Sequence, residues 1–328
     1  MKRLTLLVLA ALLALFACAA LAEYPLTMED QTGRTVTIEK QPERIVSGYY
    51  ISTSACIALG LEDKMAAVEA KADKRNIYRL AAPQLIDLPN VGTAKAFDLE
   101  TCLAAQPDLV ILPKRLKDAA ASLEAFGIPA LLVNPESGEL LDGMIALIAE
   151  ATGTQECAQA LLSFCDEQLS SLEKSLQGAE PVSALMLGNS DYMTCAPADM
   201  YQHTVLSAAG ARNAAEAMTG GDFAALSYEQ LLVMNPQALF IPAEAAYTAA
   251  DVLADKELAV IDAVKNGAVY EMPRGFEAWD SPVPSGVLGS LYLASVLHPQ
   301  HYSREAYVAA AMQMYETFYG FTPDEAAL

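Results

Sequence analysis

The sequence predicts an α/β protein of two similar lobes joined by one long helix, and three observations carry that prediction. Short β-branched runs alternate with helical runs over most of the chain, the pattern of a layered α/β architecture. Residues 154–176 contain neither proline nor glycine, and this unbroken stretch separates two such alternations. The half that follows it also repeats the half that precedes it. Residues 98–111 and 227–241 each read as a short helix with a glutamate in its first turn, a proline seven residues later and then a buried strand. The two glutamates, Glu100 and Glu229, lie 129 residues apart. Earlier in each half a helix closes on a small residue and glycine, Ala58-Leu59-Gly60 and Ala208-Ala209-Gly210. A duplicated α/β unit with one connecting helix accounts for all of this.

Taken in order, the chain begins with a secretion signal over residues 1–22. Lys2 and Arg3 precede an apolar stretch of thirteen residues, 4–16, in which Thr5 alone is polar, too short a run to span a bilayer comfortably. Two processing signals follow. Ala20-Leu21-Ala22 is an A-x-A cleavage site that leaves Glu23 first, whereas Leu15-Phe16-Ala17-Cys18 resembles a lipobox that would lipidate Cys18. Both readings stay open, and both put the mature protein outside the cytoplasmic membrane, in a periplasm or on the membrane's outer face.

Residues 23–153 form the expected first lobe. They open with a hairpin whose turn is Asp30-Gln31-Thr32-Gly33. A buried strand at residues 44–47 leads to a helix capped by Ser52 or Thr53 and ended by Gly60. Strands are expected at 65–69, 108–112 and 129–133, with a helix at 116–126 before the last. The linking helix, residues 154–177, would be roughly 35 Å long, with Cys157, Leu161, Phe164, Gln168, Leu172 and Leu176 on one stripe. Residues 178–328 form the second lobe with terminal helices, starting from a strand at 183–188.

The chain carries 20 basic and 41 acidic residues, for a net charge of −21; without Lys2 and Arg3 the charge is near −23. Such a protein repels nucleic acid and anionic lipid, and an anionic ligand would need a local basic patch. Five cysteines besides Cys18 show no disulfide framework and no CxxC metal spacing. Cys157 and Cys165 sit about 12 Å apart along the predicted helix, too far for a bridge. The thiols read mainly as small buried apolar residues, and their disulfide state stays open.

Several segments together resemble one family in order and spacing. They are Arg44-Ile45-Val46-Ser47, the two Glu-helix-Pro-strand units, Gly210-Ala211-Arg212-Asn213-Ala214-Ala215, Trp279-Asp280-Ser281-Pro282 and Gly289-Ser290-Leu291-Tyr292-Leu293-Ala294 with Leu297-His298-Pro299. The family is the substrate-binding proteins of ABC importers for ferric siderophores, haem and cobalamin, and the resemblance covers about residues 24–300. It implies two Rossmann-like lobes, a rigid linking helix and a ligand cleft between the lobes. It further implies that Glu100 and Glu229 dock onto arginines of a permease dimer that works with its ATPase. The other reading of each glutamate is that it complements its own helix N-terminus.

Ligands of doubly wound folds bind beyond the carboxyl ends of strands, which selects five loops. From them Tyr49, Tyr50, Tyr201 and Trp279 are candidates to stack on a bulky chelate. Lys95, Arg115 and Arg274 are candidates to neutralise an anionic complex, and Met193 completes the set. The expected ligand is an iron or cobalt complex and the protein needs no cofactor of its own; which chelate is bound stays open. Lys71, Lys74, Arg75 and Arg79 form a dense basic patch after the expected strand 65–69; it reads as a solvated helix face, with a place overhanging the cleft mouth as the other reading. Direct metal coordination is not indicated: His298 and His301 are expected at the surface, and His203 leaves an axial haem or cobalt ligand open. The protein is thus expected to be a monomeric receptor that delivers its chelate to an importer. The rival readings are a corrinoid receptor, a chelatase or metal-cluster enzyme of similar fold, and a surface sensor or adhesin without a transporter. No G-x-S-x-G elbow, P-loop, G-x-G-x-x-G fingerprint or cysteine cluster supports catalysis.

Overall fold

A computed structural model describes residues 23–328; the expected signal segment, with Cys18 and the two expected processing sites, lies outside the described residues. The chain opens with a hairpin of β1 (Leu26–Glu29) and β2 (Thr35–Ile38), antiparallel to each other. Asp30 shapes its turn by accepting the Thr32 N–H at 2.9 Å, and Gly33 takes the left-handed backbone, φ 81°, that closes it.

Strands β3 (Ile45–Ser47), β4 (Met65–Ala67), β7 (Leu109–Pro113) and β8 (Ala130–Val133) make a parallel sheet in the order β4-β3-β7-β8, while β5 (Gly92–Thr93) and β6 (Ala96–Phe97) form a small hairpin beside it. The second half repeats the plan. Strands β9 (Val182–Met186), β11 (Ala211–Asn213), β13 (Ala238–Ile241) and β14 (Val269–Glu271) pair in parallel in the order β11-β9-β13-β14, and β10 (Thr194–Cys195) pairs with β12 (Ala224–Ala225). In both sheets the first strand is flanked by the second and the third. The repeat seen in the sequence is therefore one of topology. Strands β3, β7, β8, β9 and β13 are buried throughout or nearly so, as expected for sheets covered on both faces by crossover helices.

The linking helix runs over Gln155–Ser175, about 32 Å. Ala158, Leu161, Phe164 and Leu172 are buried on its inner face, with Cys157, Cys165, Leu169 and Leu176 packed partly against the same core. That core is continuous across the lobes, reaching from Ile45 and Ile111 through Met144 and Phe164 to Leu291, Tyr315 and Leu328. The predicted stripe follows from the 3.6-residue period.

Two local expectations fail. Neither Ser52 nor Thr53 caps the helix Tyr50–Ala58; Tyr49 holds that position, and both hydroxyls lie buried inside the first turn. They bond the Tyr49 carbonyl and Ser47, and Thr53 also donates to Glu69 at 2.7 Å. His298 is buried, with its ring 3.2 Å from the Gly210 carbonyl, because the chain turn it occupies is covered by the end of the helix Tyr201–Ala208.

Phe164 packs edge-on against Phe318 of the terminal helix Arg304–Phe318, with centroids 5.6 Å apart. Replacing it with alanine should cost about 3–4 kcal/mol, read as a lower urea midpoint with unchanged slope. An effect under about 1 kcal/mol would show that the linking helix is not held by this contact.

Candidate functional site in the cleft between the lobes

In each sheet the chain reverses its winding between the first and third strands, and loops beyond that switch point face a ligand. In the first lobe this is the segment after β3. A side chain at Gly48 would strike Leu112 and Phe97, so the chain passes tightly over β7 before Tyr49 and Tyr50 begin the next helix. In the second lobe it is Pro242-Ala243-Glu244, directly after β13.

These ends meet around a cavity of about 120 Å³. Tyr50, Lys74, Arg75, Asn76 and Tyr78 line it from one side, and Ala243, Glu244, Arg274, Phe276 and Glu277 from the other. Arg75 is its electrostatic centre. Its guanidinium lies over the Tyr50 ring, 3.9 Å from the centroid, a cation–π contact strengthened by partial desolvation. Nη1 bonds Glu244 Oε1 across the cleft at 2.9 Å. Nε is buried, makes no hydrogen bond and stands 4.0 Å from Glu69. Glu69 is held by Thr53 and Tyr78, both at 2.7 Å. Burial pushes the phenols of Tyr49, Tyr50 and Tyr78 well above their usual range. They remain neutral hydroxyls, suited to donating hydrogen bonds.

Behind the cavity sits Glu277. It accepts from Ser54 and Ser285 at 2.5 Å each and from Tyr319 at 3.1 Å, and burial raises its pKa. Asp280, also buried, accepts the Ala243 N–H at 3.0 Å. Burial pushes its pKa up to about 6, opposed by that N–H.

The predicted ligand residues separate into several groups. Tyr50 and Arg274 line the cavity, with Arg274 paired to Glu271 at 3.4 Å. Tyr49 sits beside them, edge-on to Tyr50 at 5.8 Å, and feels the charges of Glu136 and Arg115. Arg115 is exposed on the short turn after β7, and Lys95 is exposed on the β5–β6 hairpin. Met193 packs against the second-lobe core.

Trp279 and Tyr201 are corrections, because neither lines the cavity. Trp279 is 1% exposed and donates Nε1 to Tyr315 at 2.8 Å. Its backbone lies so close to the helix Val287–Leu297 that a side chain at Gly289 would collide with it. Tyr201 is buried with its hydroxyl against Gly286. Large aromatics next to a cleft were packed into the core instead, where their area stabilises most.

Within the basic patch Arg75 departs from the solvated face and fits the other expectation, a place at the cleft mouth. Lys71, Lys74 and Arg79 are exposed as expected, with Lys74 paired to Asp73, while Arg75 turns inward. His203 faces Asn213 and Ser207 rather than the cavity. Among the described residues no group of three His, Cys, Asp or Glu side chains is arranged to hold a metal ion. Cys56, Cys102 and Cys195 are free and buried.

A larger groove of about 420 Å³ lies at the opposite, amino-terminal edge of the first sheet, lined by Thr35, Lys40, Asp108, Glu124 and Pro129. An ion pair of Lys40 with Asp108 lies on its lining. It sits at the end of the strands where doubly wound folds do not bind ligands.

A two-lobed α/β receptor with its site between the lobes is the class this arrangement defines. The profile of the periplasmic binding protein family matches residues 45–274, and the chain belongs to that family. It is 26% identical over 350 residues to the molybdate-binding protein MolA of Haemophilus influenzae, covering 98% of both chains. It is 26% identical over 225 residues to the Fe(3+) dicitrate-binding periplasmic protein FecB of Escherichia coli, covering 66% of this chain and 71% of that one. Among solved structures, MolA bound to molybdate gives a TM-score of 0.81 at 23% identity, over 91% of this chain and 99% of the other. The apo haem-binding protein RhuT of Roseiflexus gives 0.65 at 20% identity, over 78% and 99%. The resemblance to importer receptors holds, and the relatives are binding proteins, not enzymes. Among the described residues no helix is long and apolar enough to cross a membrane.

Asp280 binds its proton more tightly when folded, so its contribution to stability is fully present below about pH 4 and is lost as the pH rises through 6. Asp280→Asn, which keeps an acceptor for Ala243, should flatten the fall in stability over this window by up to about 3 kcal/mol. Urea midpoints at several pH values check this; parallel wild-type and variant curves would show that Asp280 does not titrate there.

Proposed function

We propose that the protein is the extracytoplasmic receptor of an ABC importer and that its cargo is a compact anionic metal species, such as a metal oxyanion or a small ferric carboxylate chelate. The observation that carries this reading is Arg75. Its guanidinium is held on an aromatic face between the lobes, with a buried Nε that bonds nothing, in a chain whose net charge is −21. Lys74, Arg274 and neutral phenols surround the same space, which suits charge-assisted hydrogen bonds to an anion.

Size narrows the class. Pockets for drug-sized ligands run to several hundred cubic ångströms, and this cavity holds about 120 Å³. A haem or corrinoid would require the lobes to separate, against a continuous core and a single linking helix. MolA and FecB, whose names give molybdate and ferric dicitrate as ligands, support a compact anion over a macrocycle.

Glu100 and Glu229 are exposed in the first turns of matching helices, Leu99–Ala104 and Tyr228–Met234, which Asp98 and Ser227 cap. One exposed carboxylate per lobe suits a basic two-fold partner, so we assign them to permease docking. Lipidation at Cys18 would tether the receptor in a cell without an outer membrane. Cleavage after Ala22 would release it into a periplasm.

Calorimetry on the mature chain with molybdate, tungstate, ferric citrate, haem and cobalamin tests the cargo. A compact anion should bind with a Kd of about 10 μM or lower, about −7 kcal/mol, and Arg75→Ala should weaken it by at least about tenfold. Binding of haem or cobalamin with none of the compact anions would overturn the reading. In reconstituted importer, Glu100→Ala with Glu229→Ala should abolish receptor-stimulated ATPase while leaving the Kd unchanged. A raised Kd would place the pair in ligand binding instead.

A further inference from the structure

Arg75 already carries a carboxylate from across the cleft. Glu244, from the other lobe, takes its Nη1 at 2.9 Å, and Glu69 lies 4.0 Å from its Nε. These two carboxylates are not equivalent. Glu69 is buried and fixed by Thr53 and Tyr78, so it cannot move aside. Glu244 has a side chain 51% exposed, stands on the loop after β13, and among the described residues has Arg75 as its only ion-pair or hydrogen-bond partner. Arg75 cannot easily follow it outward, because its guanidinium rests on Tyr50.

The repeat adds an independent observation. Glu244 stands 129 residues after Arg115, the same offset that relates Glu229 to Glu100. Each follows the third strand of its sheet, Arg115 after β7 and Glu244 after β13. The duplicated units thus carry opposite charges at this position, and only the second lobe supplies an acid that can cross the cleft.

We propose that Glu244 is an internal surrogate for the cargo: its carboxylate occupies Arg75 in the empty receptor, and the arriving anion displaces it into solvent. This rests on the anion-receptor reading and deepens it. Binding is then an exchange of one anion for another at a fixed guanidinium. The exchange favours an anion that Lys74 or Arg274 can hold at the same time over one that can engage Arg75 alone. It also ties the lobes together when no cargo is present, since the pair spans them.

The test is Glu244→Gln, which keeps the shape and an acceptor but removes the charge. Because Glu244 is exposed, the variant should fold, with thermal unfolding close to wild type. Calorimetry with molybdate should give a Kd about tenfold lower than wild type, since a competing charge has gone. With perchlorate, a monoanion, the gain should be smaller, because removing a nearby negative charge favours the more highly charged ligand. A mere loosening of the lobes would shift both anions alike. If wild type binds molybdate and the variant binds it equally or more weakly, Glu244 is no surrogate and the receptor reading stands. If neither protein binds any compact anion, the receptor reading itself has failed.

Discussion

The join between the lobes depends on one buried carboxylate. Glu277 accepts hydrogen bonds from Ser54 in the first lobe, Ser285 in the second and Tyr319 after the terminal helix. A carboxylate taken out of water is costly unless donors replace its hydration, and here three hydroxyls from three parts of the chain converge on it. The serines and the tyrosine can satisfy it only while the two sheets keep their present spacing. The requirement to satisfy one polar group therefore fixes the distance across which the cleft opens, and with it the small volume beside Tyr50 and Arg75.

Around that hub the apolar packing acts in the same direction. Trp279 and Tyr315 are buried side by side and bonded to each other. The linking helix lays Leu161, Phe164 and Leu172 onto a core shared by both lobes. Receptors whose lobes are joined by flexible strands can close over cargo by large hinge motions. A shared core and a helical link leave little room for that. Selectivity must then come mainly from what the preformed site offers, its size and its charge.

The charge is arranged against the grain of the whole molecule. A strongly acidic chain keeps a guanidinium, a lysine and a second arginine near one opening and surrounds the first of them with carboxylates at unequal depths. Buried Glu69 contributes a fixed compensation, and exposed Glu244 a movable one. The tyrosines beside them are kept neutral by burial, so they donate without adding negative charge. Cation, aromatic platform and neutral donors together discriminate by charge and size more than by shape.

Much of the architecture was legible before any coordinates. The hairpin, the parallel strands and the linking helix follow from local signals: turn residues, strand periodicity, and a run of residues 154–176 free of proline and glycine. The duplication was visible because Glu100 and Glu229 keep their spacing to the following prolines. Which aromatic residues face the cleft was not decided at that level. Trp279, Tyr201 and Tyr50 carry the same chemical signature, yet only Tyr50 meets the cavity, since burial depends on what packs opposite. Arg75 is one of four basic residues in a patch whose place at the cleft mouth or on a solvated face local pattern does not decide, and nothing local marks Glu244 among 41 acidic residues. The 129-residue offset from Arg115 was the one signal that pointed to Glu244. The sequence by itself determined the lobes, their link and their repeat, because each is written in short-range patterns. The tertiary structure alone decided the site, because the ion pair between Arg75 and Glu244 joins residues 169 positions apart that meet only when loops of two separately wound lobes face each other.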